Sequence, residues 1–132
     1  MALLHSTMVP LGTAAIDFKL PGIDGVEYSL DTFADSKVLV IIFMCNHCPY
    51  VKAVIQRLID LQEDTLSQGV RLVGINCNDV QKYPDDSFES MQKVAMEWGM
   101  NFSYLFDESQ TVAKKYDAVC TPDIYVYGKE KK

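Results

Sequence analysis

Lys37-Val38-Leu39-Val40-Ile41-Ile42-Phe43-Met44, followed at once by Cys45-Asn46-His47-Cys48-Pro49, is the stretch on which the fold turns. The first eight residues are nearly all apolar and rich in β-branched side chains. That pattern belongs to a strand buried on both faces, as in the middle of a largely parallel sheet. From Pro49 the period changes. Val51, Val54, Ile55, Leu58, Leu61 and Leu66 recur at helical spacing until Gly69. Pro49 suits the first helical turn, where its missing N–H costs nothing. A buried strand that hands over to an amphipathic helix is the first half of a βαβ unit, and Val70 to Asn76 supplies its second strand.

Working outward, Ile16 to Leu20 reads as a strand stopped by Pro21-Gly22. Asp24-Gly25 is a hairpin turn, with Val26 to Ser29 as the returning strand. Ser29 to Ala34 reads as one helical turn. Downstream, Pro84 with Asp85 and Asp86 opens a helix that runs to Trp98 and stops at Gly99, the acids complementing the helix dipole. Tyr104 to Phe106 is a short strand. Asp107 and Gln110 resemble a capping box for a helix ending near Tyr116, and Ile124 to Tyr127 is the last strand. The expected fold class is α/β.

The chain's 132 residues fit a single domain over 1–132, with an irregular lead-in at 1–10 and a solvated tail at 128–132. Its four cysteines are too sparse for a disulfide-scaffolded secreted module. Twelve Lys and Arg against eighteen Asp and Glu give a net charge of −6. The positive footprint of a nucleic-acid binder is therefore absent, and anionic membranes are disfavoured for the same reason. The run from Val38 to Cys45 is too short to span a bilayer. No positively charged leader precedes Ala2-Leu3-Leu4, so the expected location is cytoplasmic.

Cys45 and Cys48 gain their meaning from where they sit. A helix N-terminus supplies partial positive charge and open N–H groups, which stabilise a thiolate. The thiolate is the nucleophile of thiol–disulfide exchange. Cys45 is expected at an exposed lip as the attacking sulfur. Cys48, one turn in, resolves the mixed disulfide, and a protonated His47 favours the thiolate further. The alternatives are a metal site or two ordinary reduced thiols. CxxC at a strand-to-helix junction favours redox chemistry over both.

The segment Phe43-Met44-Cys45-Asn46-His47-Cys48-Pro49-Tyr50-Val51-Lys52 resembles the peroxiredoxin-like branch of the thioredoxin fold. That branch lies within the alkyl hydroperoxide reductase/thiol-specific antioxidant (redoxin) superfamily and carries a thioredoxin-style CxxC. The likeness continues through Leu11-Gly12, Asp17-Phe18, Leu20-Pro21, Asp24-Gly25, Asn76 to Asp79, Tyr83-Pro84 and Cys120-Thr121-Pro122-Asp123. It implies a thioredoxin-like central mixed sheet flanked by helices, with an N-terminal hairpin. It also implies that Pro122 is a cis-proline facing the CxxC, so that the Thr121 backbone, with Asn46, receives an extended substrate as an added strand. The implied activity is thiol–disulfide exchange on protein or small thiol substrates, reset by an external thiol reductant and needing no cofactor.

Several positions depart from these relatives. Leu39 stands where thioredoxins keep a buried acid as a proton relay, and Met44 replaces their Trp. Dedicated peroxidases carry Thr or Ser at the position of Cys45, Pro at that of Ile41, and an Arg on a later strand, but no Arg follows Arg71. Relatives also continue past the last strand with a further strand and a helix. By this comparison those elements are missing here, leaving an open edge at Ile124 to Tyr127 that invites self-association. Cys120 is a possible third thiol, whereas Cys77 reads as structural or incidental. A metal or iron–sulfur carrier using Cys45, Cys48, Cys120 and His47 or Cys77, and a thiol peroxidase-like antioxidant, are the alternative functions. The site itself is expected to hold no metal.

Overall fold

The structure, a computed structural model, describes residues 12–46, 49–77, 87–118 and 122–129. In chain order the strands are β1 (Lys19–Pro21), β2 (Glu27–Ser29), β3 (Val38–Met44), β4 (Val70–Asn76), β5 (Ser103–Phe106) and β6 (Asp123–Tyr127). The helices are α1 (Pro49–Thr65), α2 (Phe88–Trp98) and α3 (Thr111–Tyr116), with 3-10 turns at Leu30–Phe33 and Leu66–Gln68.

β1 and β2 form a separate antiparallel hairpin, with Leu20 opposite Tyr28. The other four strands make one mixed sheet in the order β5-β4-β3-β6. β3, β4 and β5 are parallel, and β6 runs antiparallel to β3. β3 is therefore interior, and six of its seven residues are buried, as its unbroken apolar run requires. Its side chains alternate between two cores. Leu39, Ile41 and Phe43 pack with Val73, Ile75, Tyr125 and residues of α3 and the hairpin. Val40, Ile42 and Met44 pack on the other face, against Val51, Ile55, Leu58 and Ile59 of α1 and Met91 and Ala95 of α2.

α1 begins at Pro49 and is followed by the 3-10 turn and Gly69, whose φ of 85° lies in the left-handed region that glycine enters without a Cβ penalty. The hairpin is held against the free side of β5 by the Gly22–Leu105 bridge and a 3.1 Å bond from Ile23 N to the Tyr104 carbonyl. No helix among the described residues is long and apolar enough to cross a membrane.

Three local expectations need correction. β1 is shorter than Ile16–Leu20 and includes Pro21, because only Lys19 to Pro21 lie opposite a partner strand. α2 starts at Phe88, where the Ser87 hydroxyl accepts from Ser90 N at 3.2 Å and so caps the helix. Pro84, Asp85 and Asp86 lie outside the described residues. The Asp107–Gln110 capping box does not form. α3 starts at Thr111, and Asp107 Oδ2 accepts from Ala113 N at 2.9 Å, while Gln110 Nε2 donates instead to the Cys77 carbonyl at 2.8 Å.

Candidate active site

The C-terminal ends of β3 and β4 converge where an open α/β sheet ordinarily binds its ligands. β3 ends at Met44, and Cys45 follows directly. The expectation of an exposed Cys45 is corrected here: the residue is 0% exposed and packs in the core beneath α1. The strand breaks one residue before Cys45, so its side chain joins Met44 on the α1 face instead of alternating outward.

Asn46 is also buried, at 3% exposed. Its side-chain oxygen accepts a 2.7 Å hydrogen bond from the Tyr104 hydroxyl of β5, which crosses beneath β4 to reach it. Gly74 makes that crossing possible. A Cβ there would sit 2.7 Å from Met44 Sδ and 3.3 Å from Tyr104 Cδ1. On its outer side Asn46 borders a groove of about 470 Å³ whose charged lining is Lys52 of α1 with Lys93 and Glu97 of α2.

On the other side of β3, Phe43 pairs with Asp123, so half-buried Pro122 enters the sheet next to Met44, one residue short of Cys45. Asp123 is buried, and its Oδ2 receives the Tyr125 hydroxyl at 3.3 Å. The same hydroxyl donates to the Tyr116 carbonyl at 3.1 Å. Burial, and then the Asp123 carboxylate, push the Tyr125 phenol up to about 12. Leu39, an aliphatic side chain with no proton to exchange, is fully buried in the α3-side core.

Of the expected site residues, Cys45, Asn46 and Pro122 are thus brought to one end of the sheet. His47, Cys48, Cys120 and Thr121 lie outside the described residues, and with them the geometry of the Thr121–Pro122 bond. Among the described residues no cluster of three or more His, Cys, Asp or Glu side chains is arranged to hold a metal ion.

Cys77, read as structural or incidental, also lies at this end of the sheet, and its burial and bonding are those of a structural thiol. It follows β4 as Cys45 follows β3, is 4% exposed and is disulfide-bonded. The sequence signal was present: each cysteine directly follows a seven-residue strand.

Among solved structures, an uncharacterized conserved protein from Geobacillus kaustophilus is 47% identical to this chain. The match has a TM-score of 0.96 and covers all of this chain and 70% of that one. A hypothetical protein from Sinorhizobium meliloti is 40% identical, with a TM-score of 0.92 and coverage of 96% and 69%. The thioredoxin domain of a thiol-disulfide oxidoreductase from Bacteroides vulgatus shares the fold at 17% identity, with a TM-score of 0.80 and coverage of 95% and 86%. No curated protein matches. The AhpC/TSA family matches residues 11–132. With that match spanning nearly the whole sequence, the chain belongs to the AhpC/TSA family, a redoxin group with a thioredoxin-like fold.

Proposed function

We propose that the protein is a thiol–disulfide oxidoreductase whose working couple is Cys45 and Cys48. The observation that carries this reading is the position of Cys45, between the last residue of the central buried strand and the first turn of α1 at Pro49. Family membership supports thiol redox chemistry in general.

In the proposed cycle the Cys45 thiolate attacks one sulfur of a substrate disulfide and expels the other as a thiolate. Cys48 then attacks the mixed disulfide, releases the reduced substrate and closes the Cys45–Cys48 bond. An external dithiol returns the pair to the reduced state, and the reverse sequence oxidises a substrate dithiol. His47 stabilises the thiolate, while Asn46, Thr121 and Pro122 receive the substrate backbone. The burial of Cys45 adds a requirement: the turn at Asn46 has to shift before a bulky disulfide reaches the sulfur. Stabilising the reduced form makes a couple more oxidising, which sets the expected potential above thioredoxin's.

The test is titration of the pair in glutathione buffers, read by mass-resolved alkylation, beside a Cys48→Ser control. A two-electron transition that disappears in the control supports the couple. A pair that closes only after a chelator strips metal overturns it in favour of a metal-carrying domain, and a pair that never closes overturns it in favour of a metal-carrying or a redox-inactive domain.

A further inference from the structure

The groove beside Asn46 takes no part in the cycle above, yet its lining is that of a site for a charged small molecule. Cys45 packs on the face of the sheet that α1 and α2 cover. The groove lies on the same face, between Lys52 in the first turn of α1 and Lys93, Val94, Glu97 and Trp98 of α2. Asn46, the next residue after Cys45, borders it. Its volume of about 470 Å³ falls within the range of roughly 300–1,000 Å³ that small-molecule sites occupy.

The charges of the lining narrow the ligand. Lys93 and Glu97 are one helical turn apart and share a face of α2. Among the described residues none of Lys52, Lys93 and Glu97 forms an ion pair. Two open ammonium groups at one groove run against a chain whose net charge is −6. Trp98, half-buried and the chain's single tryptophan, adds an apolar wall with Val94. Two cations and one anion are matched by a ligand with two carboxylates and one ammonium group.

Resting on the dithiol reading above, we propose that this groove is the substrate subsite and that the substrate is a low-molecular-weight peptide disulfide with an excess of carboxylates. Lys52 and Lys93 bind the carboxylates, Glu97 binds the ammonium group, and the peptide lies against Trp98. The Cys45 thiolate attacks the sulfur of the half held in the groove. The new Cys45–sulfur bond forms, the substrate disulfide breaks, and the other half leaves as a thiolate. Closure of the Cys45–Cys48 bond then releases the held half. The two electrons that reduce the substrate come from the dithiol, and its two protons end on the two released thiols.

Binding is tested with S-methylglutathione, which has this charge set but a blocked sulfur that cannot exchange. Trp98 fluorescence reports on the groove directly. The expected result is a saturable change that weakens at high salt and by about tenfold in Lys52→Gln/Lys93→Gln, from two lost exposed ion contacts. Both lysines are exposed, so these substitutions leave the fold intact. In the same double variant, the rate of Cys45 oxidation by glutathione disulfide falls relative to that by uncharged hydroxyethyl disulfide. No fluorescence response even at millimolar probe, or an equal response in the double variant, overturns the proposal. If the Cys45–Cys48 pair nevertheless titrates, the exchange cycle stands and only the subsite falls. Lysine-dependent binding by a protein whose pair never closes overturns the exchange cycle, and with it the substrate role of the groove.

Discussion

The Tyr104 hydroxyl on β5 is hydrogen-bonded at 2.7 Å to the side chain of Asn46, the residue directly after Cys45, and both groups are buried. The bond fastens the residue that follows Cys45 to a strand two places away from β3 in the sheet. Tyr104→Phe keeps the ring and removes this donor. The expected outcome is faster iodoacetamide labelling of Cys45 in the reduced protein, with a stability loss of about 1 kcal/mol, the usual worth of one hydrogen bond. Labelling rates followed by mass spectrometry, beside urea unfolding, check both. An unchanged labelling rate would show that another contact holds the turn.

Gly74 is the second constraint on that turn. Its missing Cβ leaves room for Met44 Sδ on one side and the Tyr104 ring on the other. Gly74→Val has to displace one of them, and neither is the free end of an exposed chain, since both are fully buried. Overpacking of this kind typically costs about 1–3 kcal/mol. Because Met44 precedes Cys45, the variant is also expected to change the reactivity of Cys45. The comparison with Tyr104→Phe is made at matched temperature below both unfolding transitions.

At the opposite end of β4, buried Gln62 of α1 completes the strand's hydrogen bonding. Its Nε2 donates to the Val70 carbonyl at 2.7 Å and its Oε1 accepts from Leu72 N at 2.8 Å. β5 does not reach that far, because its pairing begins at Val73 with Ser103. Gln62→Leu preserves volume but strips a partner from both backbone groups. The loss expected is about 1–3 kcal/mol for each group left unsatisfied. Distance from Cys45 predicts an unchanged redox midpoint, which separates this residue from the two above. A shifted midpoint would contradict that separation.

Much of this architecture was legible from one contrast, the unbroken apolar run ending at Met44 against the 3.6-residue period that starts at Pro49. Periodicity carries information when one or both faces of an element are buried, and β3, α1 and β4 are such elements. Short elements fared worse. β1 and α3 are fixed by tertiary partners, the hairpin register for one and Asp107 reaching Ala113 for the other, and local patterns do not encode those. The burial of Cys45 was invisible because alternation predicts its direction only while the strand continues, and the strand stops at Met44. Spacing along the chain does not encode where Cys77 lies. Its relation to Cys45 runs across the sheet and needs the β3–β4 register to be seen.

The aromatic cluster beneath β6 sets an alkaline limit to stability. Tyr116 stacks edge-on against Tyr125 and Tyr127, and its hydroxyl donates to the Ile16 carbonyl at 2.6 Å. Burial is the first cause raising all three phenols, and for Tyr125 the value reaches about 12. In the unfolded chain tyrosines ionise near about 10. Below that pH both states hold the proton, and the cluster's contribution is fully present. Above it the unfolded chain releases protons that the folded chain keeps, so the unfolded state binds fewer and stability falls as pH rises. The fall is expected to begin near the unfolded value and to continue towards about 12, where Tyr125 ionises in the fold. Urea midpoints across this range, with phenolate absorbance recorded in native and denatured protein, measure it. Lysines titrate in the same window, so the decisive quantity is the difference from Tyr125→Phe. That variant is less stable near neutral pH, having lost the bonds to the Tyr116 carbonyl and Asp123, but its stability should decline less steeply between about 10 and 12. Parallel declines in the two proteins would mean that Tyr125 ionises in the folded protein as readily as in the unfolded chain.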